Sequence, residues 1–134
     1  ASYEVLERVI LYANYRYSDH LYASIDPGRF TSATNKGTLE LPSYGLMDAG
    51  FSYKMLVGKD KDRSLNFRLN VNNVLDKIYI AESRTNIFAD DFISGTSGPT
   101  YASTPGRTYN GVADANQVFF GFGRTWNFTL RYNF

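Results

Sequence analysis

The sequence predicts an all-β fold of the antiparallel transmembrane β-barrel class, on three observations. Apolar and polar residues alternate with period two in several segments, as they do in strands with two different faces. The connections between these segments alternate between short and long, which is typical of outer-membrane barrels. The closing segment, residues 126–134, places apolar residues between aromatic ends on one face, which suits a wall between lipid and water.

A soluble β-sandwich or small barrel with one wet face is the alternative. It explains the alternation of apolar and polar residues equally well. It does not explain aromatic residues at both ends of an apolar face. It also leaves unexplained the polar and cationic side chains on the opposite phase of the strands, namely Arg16, Lys54, Arg68, Asn127 and Arg131.

Composition excludes several classes of protein. The 134 residues suit one domain, contain no cysteine and carry a net charge of +1. No disulfide framework or thiolate metal site is therefore expected, and nothing points to nucleic acid. No apolar run approaches the roughly 18 residues of a spanning helix, which excludes a helical membrane protein. Residues 1–4 carry no secretory signal, which suggests a piece of a longer precursor.

Five segments, A to E, are predicted as strands along the chain. Segment A covers residues 9–17, with an alternative start near Val5, and its odd-numbered residues are apolar or aromatic. A short polar turn at 18–20 leads to a short segment B at 21–26. Residues 27–43 are mixed in character and predict a long loop.

Segments C and D form the middle of the chain. Segment C covers 44–57, and a compact charged turn at 58–63 follows it. Segment D begins at Leu65, and its alternation slips at Asn72 and Asn73, which predicts a β-bulge. Residues 78–80 are expected to continue the strand.

Segment E, residues 117–134, follows the longest loop, at 82–116. A strand of nine residues, rising roughly 3.3 Å per residue and tilted about 40°, climbs about 23 Å, close to the apolar band of roughly 25 Å. This length places Trp126 at one membrane interface and Tyr132 with Phe134 at the other, as aromatic girdles require.

Three motifs resemble the closing region of TonB-dependent outer-membrane receptors, and their overall character is similar to that of receptors from the Bacteroidetes group. Residues 43–54 are similar to the strand with the pattern Y-x-L-x-D-A-x-x-x-Y, and residues 69–79 to the signature N-(L/V)-(F/L)-D-K-x-Y. Residues 123–134 are similar to the ending G-R-x-(W/F)-x-(F/A)-x-L-x-Y-x-F. The motifs occur in family order and finish at the C-terminus.

The resemblance implies that residues 1–134 are the C-terminal part of a receptor barrel, the last five or so of about 22 strands. The plug domain is absent from this chain, and five strands cannot close a membrane barrel. The C-terminus and the turns at 18–20 and 58–64 would lie in the periplasm. The long loops at 27–43 and 81–116 would lie outside the cell.

The function implied is active import of a nutrient ligand, such as a metal chelate, cobalamin, a glycan or a peptide, across the outer membrane of a Gram-negative cell. The alternative is a structural or interaction barrel in an outer-membrane complex without transport. The expected partners are outer-membrane lipid and lipopolysaccharide, the remainder of the receptor, the TonB complex, a surface lipoprotein lid and the barrel-assembly machinery. No nucleic acid, cofactor or metal is expected. No enzyme activity is expected either, since no nucleophile has a base beside it.

Two sets of site residues follow. A long extracellular loop that mixes aromatic residues with a cation suits ligand contact, although packing against neighbouring loops is the alternative. Its candidates are Phe88, Phe92, Tyr101, Arg107 and Tyr109. The terminal strand resembles the signal that the barrel-assembly machinery recognises, and the residues that match it are Phe128, Leu130, Tyr132 and Phe134.

The remaining polar candidates favour solvated side chains over chemistry. His20 is the sole histidine in the sequence, so no zinc or triad geometry built on a second histidine can form. Asp90, Asp91 and Asp114 offer oxygen ligands for a hard cation, but no regular calcium-loop spacing surrounds them.

Overall fold

The computed structural model describes residues 2–6, 8–25, 27, 36–59, 62–95 and 97–134. These residues form antiparallel β-sheets, which confirms the all-β prediction. No helix long and apolar enough to cross a membrane is found in these ranges. The strands are β1 Ser2–Leu6, β2 Val9–Ser18, β3 Leu21–Tyr22, β4 Glu40–Leu41, β5 Tyr44–Val57, β6 Arg63–Asn72, β7 Ile80–Ser83, β8 Thr108–Tyr109, β9 Val112–Ala113, β10 Val118–Phe120 and β11 Thr125–Asn133.

The chain divides into two compact units that alternate along the sequence. The first unit contains the long strands, and the second is made of the two long connections between them. The first comprises Ala1–Tyr17, Gly45–Lys77 and Phe122–Phe134, and the second Ser18–Tyr44 and Ile78–Gly121.

The first unit is built on a five-stranded sheet with the order β1-β2-β5-β6-β11. Its edge strands are β1 and β11, so the sheet is open within the described residues. In the register of β5, β6 and β11, Phe51 lies beside Leu69 and Leu69 beside Phe128. Strand pairing therefore places the apolar phases of segments C, D and E on one common face, as the alternation predicts.

Segment A differs from its prediction, because a hairpin of two strands replaces one strand. Ser2 pairs with Tyr12 and Leu6 with Val9 across β1 and β2. Arg8 adopts the left-handed conformation, with a φ of 73°, so the chain reverses there without a glycine, asparagine or proline. The fifth strand of the sheet is therefore β1.

Segment B, predicted as a short strand over residues 21–26, is a strand only at Leu21–Tyr22 and does not join the five-stranded sheet. Strand β3 is two residues long and pairs with β4 in the second unit, with Leu21 opposite Leu41. Residues 18–20 therefore do not form a turn between two long strands, because β2 is followed by one long connection to β5. Asp26, the predicted end of segment B, lies outside the described residues. Short and long connections still alternate, with the turn at Arg8 as the first short one.

Segment D ends earlier than predicted, and segment E is two strands instead of one. Strand β6 stops at Asn72, and Asn73 takes a positive φ of 49° that ends the strand instead of forming a bulge within it. Ile80 belongs to β7, which pairs with β10 in the second unit. Segment E is interrupted between Phe120 and Thr125, so β10 and β11 are separate strands.

The second unit has a core of its own, although its sequence predicted loops. Its buried residues are Ala23, Leu39, Leu41, Ile80 and Val112, with Leu21, Phe88 and Val118 packed against them. The side chains of two buried asparagines form hydrogen bonds with backbone groups that no strand pairing satisfies. Asn86 accepts from the backbone N–H of Leu39 and donates to the carbonyl of Ser24, and Asn116 donates to the carbonyls of Ile87 and Ala113.

Candidate functional site

The apolar face of the five-stranded sheet consists of rows of side chains that run across β5, β6 and β11. The register forms the rows Ala49–Val71–Trp126, Phe51–Leu69–Phe128, Tyr53–Phe67–Leu130 and Met55–Leu65–Tyr132. Phe67 joins two of these rows, with ring centroids 6.2 Å from Tyr53 and 6.4 Å from Phe128.

Within the described residues, no other part of the first unit covers this face along β11. Trp126 is 71% exposed, Phe128 and Leu130 are each 55% exposed, and Tyr132 is 46% exposed. A soluble monomer rarely leaves a contiguous apolar patch of this kind in water. The face therefore has the chemistry of a surface that contacts an apolar environment.

The polar face of the same sheet is linked by side-chain hydrogen bonds from strand to strand. Tyr12 donates its hydroxyl hydrogen to Asn70, and Asn70 donates to Asn127 at 2.8 Å. The Tyr12 ring lies over Gly50, where a Cβ would collide with it. The absence of a side chain at Gly50 thus lets a tyrosine from β2 reach across β5 to β6.

A cluster of contacts that we call the motif node lies where β6 ends and β11 begins. The backbone N–H of Asn73 donates to Asp48 at 2.9 Å. The Asn73 side chain accepts from the Lys77 N–H at 2.8 Å and donates to the Lys77 carbonyl at 2.9 Å. It also donates to the carbonyl of Phe122 at 3.3 Å. Asn73 is 4% exposed, so these bonds form away from water.

The motif node continues through Asp76. This carboxylate accepts the backbone N–H of Arg124 at 2.8 Å and pairs with the Arg124 guanidinium at 3.6 Å. Asp48, Asn73 with Asp76, and Arg124 come from the three separate sequence motifs at 43–54, 69–79 and 123–134. The motifs therefore meet at one end of the sheet. Their side chains Asp48, Asn73 and Asp76 accept hydrogen bonds from backbone N–H groups.

The five candidate ligand-contact residues lie in the second unit in different surroundings. Tyr101 is 8% exposed, with the Arg107 guanidinium 5.2 Å from its ring centroid. Phe88 packs on the core of the unit. Phe92 and Tyr109 are each 42% exposed, and the Tyr109 ring meets Phe120 edge to face at 5.8 Å. The ring faces free to meet a ligand therefore belong mainly to Phe92 and Tyr109.

Lys36 pairs with two carboxylates of this unit. Lys36 lies 2.9 Å from Asp90 and 2.7 Å from Asp91. Hydrogen bonds to Asp90 and Asp91 raise the pKa of Lys36, and the bond from Lys36 lowers the pKa of Asp90. Two of the acidic groups considered as cation ligands are thus engaged by an ammonium group.

Arg107 and Asp114 form a second pair, at 2.7 Å. The hydrogen bond with Asp114 raises the pKa of Arg107. Both residues flank the β8–β9 hairpin, whose turn is Asn110-Gly111 with φ values of 48° and 84°. Asn-Gly between strand residues is the strongest short-range hairpin signal, and it would have identified this hairpin from the sequence.

His20 acquires neighbours that its sequence position does not indicate. Pairing of β3 with β4 brings Glu40 beside Asp19 and His20, and ligand atoms of the three residues lie within 4.8 Å of one another. All three side chains are exposed, as solvated turn residues are.

The candidate assembly-signal residues share one phase at the end of the chain. Phe128, Leu130 and Tyr132 lie on the apolar face of β11, and Phe134 follows the strand with 99% of its surface exposed. The Tyr132 and Phe134 rings are 6.1 Å apart.

No family model matches the chain, and neither does any curated protein or solved structure. A function therefore has to rest on the two faces of the sheet and on the motifs.

Proposed function

We propose that the chain is the C-terminal segment of the β-barrel of a TonB-dependent outer-membrane transporter, which imports a nutrient ligand into the periplasm. The observation that carries this proposal is the two-faced sheet. One face of β5, β6 and β11 is apolar and is exposed along β11, while the other bears asparagines, hydroxyls and cations. Lipid outside and a polar lumen inside require this division. The resemblance of the three motifs supplies the family.

The open edges of the sheet support a larger barrel. Strands β1 and β11 each have one unpaired edge within the described residues. Each unpaired backbone group in a bilayer costs several kcal/mol, so spanning sheets close on themselves. We propose that the remaining strands of a barrel of about 22 strands, together with a plug domain, complete the fold.

The connections fit an orientation with the C-terminus in the periplasm. The turns of the β1–β2 and β5–β6 pairs are short and would face the periplasm. The second unit, Ser18–Tyr44 and Ile78–Gly121, comes from the two long connections, and we assign it to the cell exterior. His20 then belongs to the exterior, and Phe92 and Tyr109 are the candidates there for contact with the ligand or with a surface lipoprotein.

The test of the membrane assignment uses neighbouring residues that lie on opposite faces. Residues 1–134 contain no cysteine, so Phe128→Cys and Thr129→Cys each introduce one thiol into this segment. In intact outer membranes we expect a water-soluble maleimide to label Thr129→Cys and to label Phe128→Cys only after detergent is added. Equal labelling of both before detergent contradicts a lipid-facing apolar face.

The test of transport is uptake by cells that carry or lack the gene. Labelled metal chelates, cobalamin, glycans and peptides are offered with the proton gradient intact and after an uncoupler is added. Transport predicts accumulation of one ligand class that the uncoupler abolishes. Correct labelling without energised uptake of any class contradicts import and favours the structural role.

A further inference from the structure

A groove of about 360 Å³ lies on the polar face of the five-stranded sheet. Three cationic side chains line it, one from each of β5, β6 and β11, and no carboxylate of the described residues does. Hydroxyl and amide groups complete the lining. The groups relevant here are Lys54, Arg68 and Arg131 with Ser52, Asn66 and Thr129.

Strand register places the three cations close together. Lys54 and Arg131 both lie opposite Asn66, from the two sides of β6. With strands roughly 4.8 Å apart, their Cα atoms are about 10 Å from each other. Arg68 lies two residues along β6, diagonal to both, at about 7–8 Å. Like charges at these separations repel, and the strands hold them there.

None of these three cations has a carboxylate partner among the residues that the structure describes. Arg16, on β2, provides the contrast, because Asp48 neutralises it at 3.6 Å. Among these four cations of the polar face, the charge without a carboxylate partner in the described residues therefore lies in the groove.

We propose that this groove binds a small multivalent oxyanion, a ligand with two or more carboxylate or phosphate groups held by Lys54, Arg68 and Arg131. The planar forks of two arginines match such groups with paired hydrogen bonds, and a lysine adds a point charge. The groove volume lies within the range of small-molecule sites. The proposal rests on the proposed barrel, in which the groove must stay open to water beside the plug domain, but it does not depend on transport.

The experiment is calorimetric titration of the intact protein, purified in detergent, with citrate and with inorganic pyrophosphate as probes. We expect both probes to bind, more weakly as salt is added. Arg68→Gln and Arg131→Gln should each weaken binding about tenfold or more, since each removes a charge-assisted, forked contact. Lys54→Gln provides a third, independent removal of charge.

The matched control is Arg16→Gln, which removes the same charge from the same face at a position already neutralised. Its affinity for both probes should equal that of the unmodified protein. Exposed positions tolerate such changes, and circular dichroism verifies the fold of each variant.

Three results overturn the proposal. The first is the absence of binding of either probe at low salt. The second is an equal loss of affinity in Arg16→Gln and Arg68→Gln, which indicates diffuse attraction by the whole face. The third is binding of an acidic peptide, such as oligoglutamate, under conditions where neither small probe binds, which assigns the groove to a polypeptide partner.

Discussion

Replacement of Leu130 by arginine separates a lipid-facing strand from a solvent-facing one. Strand β11 has nine residues, so its middle is Thr129. With a rise of roughly 3.3 Å per residue and a tilt of about 40°, Leu130 lies about 2.5 Å from that middle along the membrane normal. An arginine this close to the bilayer midplane destabilises a barrel by about 2–4 kcal/mol. The ratio of folded to unfolded protein should fall roughly 30- to 700-fold.

A water-exposed face predicts a different magnitude. Leu130 is 55% exposed, and surface substitutions at such positions usually change stability by less than about 0.5 kcal/mol. The two environments therefore differ in predicted cost by several-fold, which exceeds the error of an equilibrium measurement.

The assay is urea unfolding of the intact protein in lipid vesicles, followed by the heat-dependent gel mobility of folded barrels. Asn127→Arg is the matched control, because it adds the same side chain to the same strand on the polar face, opposite Asn70. It should lower the free energy of unfolding by about 1 kcal/mol, the net value of the hydrogen bond that Asn70 loses. Equal costs for the two variants, or a Leu130→Arg cost below about 0.5 kcal/mol, refute the lipid-facing assignment.

Three further predictions follow from the motif node, the second unit and the last residue. Asn73→Ala should cost about 1–3 kcal/mol more than Asn110→Ala in denaturant unfolding, because both asparagines have positive φ but only Asn73 leaves buried groups unsatisfied; equal costs contradict this role. Since Lys36 lowers the pKa of Asp90 below its ordinary 3.8, the contribution of the pair is present above that pH and is lost as pH falls through the folded-state value. Hydrogen-exchange protection factors in the second unit, which correct for the slower intrinsic exchange in acid, should therefore fall as pH is lowered, and Lys36→Gln should remove that fall; an unchanged fall in the variant contradicts the assignment. Phe134→Ala should slow assembly of the complete receptor in the outer membrane without altering its ligand, and normal assembly kinetics would argue against an assembly signal.

The strands β5, β6 and β11 are predictable because their alternation is strong and extends over nine or more residues. The β1–β2 reversal is not, since its turn places Arg8 in a left-handed conformation and contains none of the residues typical of turns. Segment B alternates over residues 21–26 as a longer strand would, but only β3 forms within it. Its partner β4 is distant in sequence. Local periodicity contains no information about such a partner.

The core of the second unit escapes prediction for another physical reason. Its segments are rich in asparagine, serine, threonine and glycine, a composition typical of loops. Asn86 and Asn116 form their hydrogen bonds with backbone groups up to 62 residues away. These bonds satisfy buried polar groups without a ladder of paired strands, so the unit folds without the periodicity that sequence analysis depends on.

The motif node gives residues of the three sequence motifs a structural role that involves no ligand. Asp48, Asn73 and Asp76 bond to backbone N–H groups, and Asn73 also bonds to two backbone carbonyls. These contacts determine where β6 ends and β11 begins, whatever side chains the intervening connection carries. The residues between 77 and 122 can therefore change without disturbing the strand ends. Under the proposed transport function, we expect cargo specificity to depend on that connection and on the polar face, and not on the node.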